Sequence, residues 1–219
     1  MTTLAALKTA VDSWLVRDDI AGATADFATI ILLAESQIAR EIRCGVQEKQ
    51  TTLNFTGRSA ALPANYLEPR NPFVDDPTRR MDYMTPEALR RSSAWQNGRV
   101  GAFYTIEGEA SGTPPDDRMQ MTIAGPASAT SPLSVVVNYY ARFDPLTQDT
   151  DTNWLLTNHF DIYLYAVLRA AAEYIQEDML EDRYNAKFVG AVESLNIHEN
   201  RKRYGAMPKH ASNSPRSIV

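Results

Sequence analysis

The chain has 219 residues with 22 Lys or Arg against 27 Asp or Glu, a net charge of −5, which excludes a globally basic nucleic-acid binder but leaves room for a local basic patch. Its 44% hydrophobic and 22% charged content is that of a globular chain able to bury a core, and excludes a disordered or fibrous one. The single cysteine, Cys44, allows neither an intrachain disulfide nor a cysteine-based zinc site, which fits a reducing compartment.

The start, Met1-Thr2-Thr3-Leu4, has no basic leader region, and the most apolar stretch, Phe27 to Ala34, is too short to cross a bilayer, so a soluble protein with no membrane partner is expected. From Leu4 to Leu15 the residues Leu4, Leu7, Val11, Trp14 and Leu15 fall on one helical face, predicting a first amphipathic helix. Arg17-Asp18-Asp19 breaks the pattern. Thr24 as N-cap and Asp26 in the first turn then announce a second helix to about Arg43, stopped by Gly45. Its predicted buried stripe is Phe27, Ile30, Ile31, Ala34, Ile38 and Ile42, with Glu35, Arg40, Glu41 and Arg43 towards water.

Between Val46 and Phe143 the period changes. Short runs separated by Gly, Pro and Asn or Asp predict strands at 47–55, 66–74, 79–84, 102–107, 119–123 and 135–142. The last two alternate most regularly, Met119, Met121 and Ile123 against Gln120 and Thr122, and Val135, Val137 and Tyr139 against Val136, Asn138 and Tyr140. Thr85-Pro86-Glu87 reads as an N-cap followed by proline in the first helical position, opening one short helix that ends before Trp95.

After Asp144-Pro145 the 3.6 period returns. Asn158 is the expected cap of a third helix whose face carries Phe160, Tyr163, Leu164, Val167, Leu168, Ala171, Tyr174 and Ile175. A fourth begins at Asp178 and ends at Tyr204-Gly205, burying Leu180, Tyr184, Phe188, Ala191, Val192 and Leu195. The expected fold class is α+β: a helical hairpin over 1–45, a β-rich insertion over 46–145, a helical pair over 146–204 completing a four-helix bundle, and an extended tail over 205–219.

Chemistry is sparse. Neither a phosphate-binding glycine loop nor a serine elbow is present, and no catalytic residue is assigned. Asp149, Asp151 and Asn153 imitate half a calcium loop, but Trp154 stands where glycine is needed and Phe160 where glutamate is needed, so the stretch reads as a polar turn. His159, His198 and His210 lie in different elements without metal-ligand spacing; no metal and no cofactor is expected. The acidic residues Glu173, Glu177, Asp178, Glu181 and Asp182 read as a solvated face at a helix turn rather than a catalytic pair. Most aromatics fall on the predicted core stripes, but Tyr165 lies off its stripe and Tyr140 faces opposite Tyr139, making both candidates for a subunit contact.

One polarity stands out. Arg201, Lys202, Arg203, Lys209 and Arg216 follow Asn200 with no acidic residue among them, and a basic tail on an acidic body suits nucleic acid, an acidic protein groove, or solubility alone.

The segments Ser13 to Asp19, Leu33-Ala34-Glu35, Ile38 to Arg43, Leu62 to Glu68, Asp82 to Pro86, Tyr104 to Gly108, Tyr139 to Arg142 and Thr152 to His159, taken in order, resemble the landmarks of tailed-bacteriophage head-to-tail adaptor (connector) proteins related to the T7-like tail tubular protein A. The resemblance spans about Leu4 to Arg203, departing at Phe160 where the family commonly has proline. It implies a non-enzymatic virion protein at the head–tail junction, assembled in the host cytoplasm as a ring of about twelve copies. Its implied partners are the portal, a tail or nozzle protein and the genomic DNA passing through the channel. It also implies that the extension from Glu199 to Val219 reaches the portal, which makes Arg201, Lys202, Arg203, Tyr204, Lys209 and Arg216 the portal-binding candidates. The alternative is a DNA-binding or packaging accessory protein that applies the basic tail to phosphates; a virion hydrolase ranks last for want of a catalytic constellation.

Overall fold

The computed structural model describes residues 2–16, 24–74, 80–93, 95, 102–108, 119–125 and 133–204, with the backbone alone at 24, 25, 71–74, 203 and 204. In chain order the elements are α1 (Leu4–Leu15), α2 (Thr24–Glu41), a 3-10 turn (Gly45–Gln47), β1 (Glu48–Phe55), β2 (Ser59–Ala61), β3 (Tyr66–Val74), β4 (Asp82–Tyr83), α3 (Pro86–Arg91), β5 (Phe103–Gly108), β6 (Met119–Ile123), β7 (Leu133–Ala141), α4 (Trp154–Asn158), α5 (Phe160–Tyr174) and α6 (Asp178–Tyr204). The fold is mixed α+β, as the change of period predicts. Two units are formed, one from Met1–Ala6 with Val46–Asn158 and the other from Leu7–Gly45 with His159–Val219.

The first unit is built on two sheets, of order β1-β7-β3 and β2-β6-β5-β4. The alternation of β7 is realised residue by residue: Val135, Val137, Tyr139 and Ala141 are buried, while the residues between them turn outward to the register Glu48↔Tyr140 and Gln50↔Asn138 with β1. Leu53 and Phe55 of β1, Tyr66 of β3, Tyr104 of β5 and Met121 and Ile123 of β6 join that row in one core. Pro69 and Pro72 cannot donate to a ladder, and accordingly β3 is an edge strand whose pairing with β7 shifts register between Tyr66 and Glu68 and between Pro69 and Asn71. Against β5 of the four-stranded sheet packs α3, which buries Leu89. The Thr85 hydroxyl accepts from the Ala88 N–H and Pro86 takes the first turn, the start the sequence predicts.

In the helical unit, the α2 stripe is buried in full at Phe27, Ile30, Ile31, Ala34, Ile38 and Ile42. It meets α5, which in turn packs along α6, where Tyr184, Phe188, Val192 and Leu195 are buried. Glu35, expected to face water, is half-buried and accepts from the Tyr163 hydroxyl at 3.2 Å. The turn between α5 and α6 is closed by Glu177 N–H to Ala172 C=O and Gln176 N–H to Glu173 C=O, with Gln176 in the left-handed region at φ 60°. Glycine adopts that backbone without the Cβ penalty. Gln176→Gly is therefore expected to raise the stability of the unit by up to about 1 kcal/mol, read from chemical denaturation.

Two helix readings need correction. Trp14 is 45% and Tyr174 54% exposed; both stand at helix ends, where a stripe continues past the core that covers it. Asn158 does not cap the third long helix. It ends the short helix α4, with its side-chain amide donating to the Trp154 carbonyl at 2.8 Å, and α5 is entered through His159, which makes no side-chain cap bond. The capping asparagine is Asn153, whose Oδ1 accepts from the Leu156 N–H at 2.9 Å.

Candidate functional site

α6 runs to Tyr204 and carries Arg201, Lys202 and Arg203 in its last turn. Glu199, one turn earlier, is only 6% exposed: its carboxylate accepts from Lys202 Nζ at 2.8 Å and from the Gly45 N–H at 3.2 Å. The Lys202 bond, the Gly45 N–H and neighbouring positive charge outweigh burial and hold this carboxyl below its ordinary value. Glu199 thus belongs to the interior of the helical unit and ties the end of α6 to Gly45 beyond α2, while Lys202 lies across it with its side chain half in water. Arg201 is exposed. The side chains of Arg203 and Tyr204, and the whole of Lys209 and Arg216, lie outside the described residues.

The two tyrosines proposed for a subunit contact have partners within the chain. Tyr165 meets Trp14 edge-on with centroids 6.0 Å apart, and Lys187 Nζ lies 5.1 Å from the Trp14 ring, 5.4 Å from Tyr165 and 5.9 Å from Tyr184. This is a cation seated over three ring faces on a partly exposed surface. Tyr140 stands on the outer face of the three-stranded sheet, its hydroxyl donating to Glu48 at 3.3 Å and Arg70 lying 5.9 Å from its ring. Arg70 also pairs with Glu48. Both tyrosines are half-buried, so part of each ring stays exposed.

A groove of about 910 Å³ lies in the β-rich unit, framed by Tyr66, Tyr83, Tyr104, Pro63, Pro69 and Arg142. Its rings are fixed in place: Tyr66 stacks on Tyr139 at 5.9 Å and Tyr83 stands edge-on to Tyr104 at 5.7 Å. Burial pushes the Tyr66 and Tyr104 hydroxyls up, with Glu68 adding to the first and Asp82 to the second, so these phenols stay protonated donors. The residues of this groove lie among the strand landmarks of the sequence, but their convergence depends on the pairing of two sheets and has no local signal.

The calcium-like stretch is a structural turn. The Asp151 carboxylate accepts from the Thr147 and Gln148 N–H groups and from the Thr147 hydroxyl at 2.7–3.0 Å, bonds that hold it below the ordinary range. The carbonyls of Asp151 and Asp149 receive the Leu4 and Ala5 N–H groups at the start of α1. Among the described residues no group of three or more His, Cys, Asp or Glu is placed to hold a metal. Glu173, Glu177, Asp178 and Asp182 are exposed, and Glu181 pairs with Arg169 at 3.7 Å. No described helix is long and apolar enough to cross a membrane.

The model of a family described as SU10 adaptor protein fits residues 2–215. No curated protein matches the chain.

Proposed function

The chain belongs to the SU10 adaptor protein family, and from that premise we propose that it is a structural, non-enzymatic virion protein joining the portal to the tail at the head–tail junction. The nearer kinship with the T7-like tail tubular protein A is part of the same proposal. The observation that carries the reading is the family match over residues 2–215, which takes in both the helical and the β-rich stretches. Copies assemble in the host cytoplasm into a ring of about twelve, with the portal on one side, a tail or nozzle protein on the other, and DNA passing through the channel.

The helical stretches form a four-helix bundle as the ring wall, with 46–145 as the β-rich insertion and 205–219 as an extended tail. Arg201, Lys202, Arg203, Tyr204, Lys209 and Arg216 engage the portal, and Tyr140 and Tyr165 contribute to contacts between subunits. The exposed Arg201 beyond the tied-down Glu199 supports a fixed point of departure for such a tail. The net charge of −5 supports a conduit that does not hold phosphates as a basic lining does.

Mass photometry of purified portal rings mixed with the chain tests this. The expected result is a single species heavier than the portal by about twelve copies. Portal rings unchanged in mass, with the chain instead retained on DNA at low salt and released at high salt, would move the assignment to a DNA-binding accessory protein.

A further inference from the structure

We propose that the tyrosine-lined groove of the β-rich unit is a binding site for a small carboxylate with a flat apolar body, an aromatic carboxylate being the simplest member of that class. The groove lies wholly within one unit, and its volume of about 910 Å³ falls in the range that takes in ligands of drug size. Ile106, Met119 and the rings of Tyr66, Tyr83 and Tyr104 supply an apolar lining. Tyr66 is held by its stacking on Tyr139, and Tyr83 and Tyr104 hold each other edge-on. Rings already fixed in this way receive a flat ligand at little cost in side-chain ordering.

The polar side chains of the lining are all donors in need of an acceptor. Tyr66 is 9% and Tyr104 7% exposed, yet neither hydroxyl has a hydrogen-bond partner among the described residues. Buried hydroxyls are ordinarily paired, so two open ones lining one cavity call for an acceptor from outside the chain. Glu68 and Asp82 stand outside the lining; they act on these phenols by keeping them protonated. Arg142 is exposed, and among the described residues its guanidinium makes no ion pair.

Charge and shape narrow the ligand further. Arg142 is the only charged residue of the lining, and a guanidinium offers a planar fork of donors that matches the two oxygens of a carboxylate. One cation balances one negative charge. A phosphate carries close to two at neutral pH and would be left half-neutralised, while a cationic ligand would meet Arg142 unpaired. The site stands on the groove alone and is independent of the adaptor reading.

The test is titration of the ¹⁵N-labelled full-length chain with biphenyl-4-carboxylate and, separately, with its uncharged counterpart biphenyl-4-carboxamide, followed by amide chemical shifts. The acid is expected to bind saturably with a dissociation constant of about 0.1–1 mM, moving amides of β3, β5 and Arg142, and to bind about fivefold more tightly than the amide. Arg142→Gln, a change at an exposed side chain, is expected to abolish that preference and leave the affinity of the amide unchanged. Lys49→Gln, at an exposed cation outside the lining, keeps it. Tyr83→Ala, at a ring 56% exposed, weakens both probes alike. Equal affinity for acid and amide, a preference that survives Arg142→Gln, shifts confined to other elements, or no saturation by either probe would each overturn the proposal.

Discussion

Phe188→Ala is expected to lower the unfolding free energy of the helical unit by about 3–5 kcal/mol, the range for deleting a fully buried aromatic ring. Phe188 has no exposed surface and sits in the α6 row of Tyr184, Val192 and Leu195, where α6 packs along α5. The surroundings are themselves close-packed, with Leu164, Val167, Leu168 and Ala171 of α5 buried, so collapse into the space left by the ring is limited and the cavity part of the loss is retained. The contrast is Val189→Ala, one residue on and 39% exposed, expected to change stability by no more than about 0.5 kcal/mol. Equal losses at the two positions in denaturant titrations would contradict the packing of α6 described here.

Glu199→Ala is expected to cost about 1–3 kcal/mol at neutral pH, because it removes a charge-assisted acceptor and leaves the Gly45 N–H without that partner. The loss depends on pH. The folded carboxyl is held below its ordinary value of 4.5, so its stabilisation is complete above the pKa of the unfolded chain and disappears as pH falls through the lower folded value. Wild type and variant should therefore differ most near neutrality and converge as pH falls through the lowered folded value. Hydrogen exchange should localise the loosening to the last turns of α6 and the stretch around Gly45. A gap that widens on acidification would contradict the assignment.

Periodicity made the long elements legible because burial in them is one-sided. The bounds of α1 and the α2 stripe follow directly from apolar spacing, β7 from strict alternation, and the start of α6 from Asp178 and the acidic residues of its first turn. What periodicity does not carry is where a stripe runs out of cover. Trp14 continues the face of Leu7 and Val11, yet its ring lies at the surface beneath Lys187. β2 escaped notice because Ser59–Ala61 has no apolar alternation and exists by pairing with β6, where the Ser59 and Thr122 hydroxyls meet at 2.9 Å. Thr122 is buried although alternation assigns it to the outer face, and its hydroxyl bonds Ser59 and Glu107.

The start of α5 falls one residue from the expected cap, at His159 rather than Asn158. The short helix α4 before it has no apolar period of its own, and its cap Asn153 depends on tertiary contacts such as its amide donating to the Asp144 carbonyl at 2.9 Å. Of the functional candidates, the basic run after Asn200 was visible in the charge pattern. The inward turn of Glu199 was not, because its partner Gly45 N–H lies 154 residues away. The groove likewise assembles residues from Pro63 to Arg142 through two sheets, a convergence no local pattern encodes.

Co-sedimentation of the chain with its cognate portal ring, read by negative-stain imaging, tests the adaptor role most directly when the full chain is run beside a truncation ending at Asn200. That truncation keeps Glu199 and Gly45 but loses the Lys202 bond and the last turn of α6, and a retained cooperative far-ultraviolet circular dichroism melt serves as its folding control. The predicted result is a ring of added density on portals mixed with the full chain and bare portals with the truncation. Bare portals with both forms, while the full chain is retained on DNA at low salt, would contradict it.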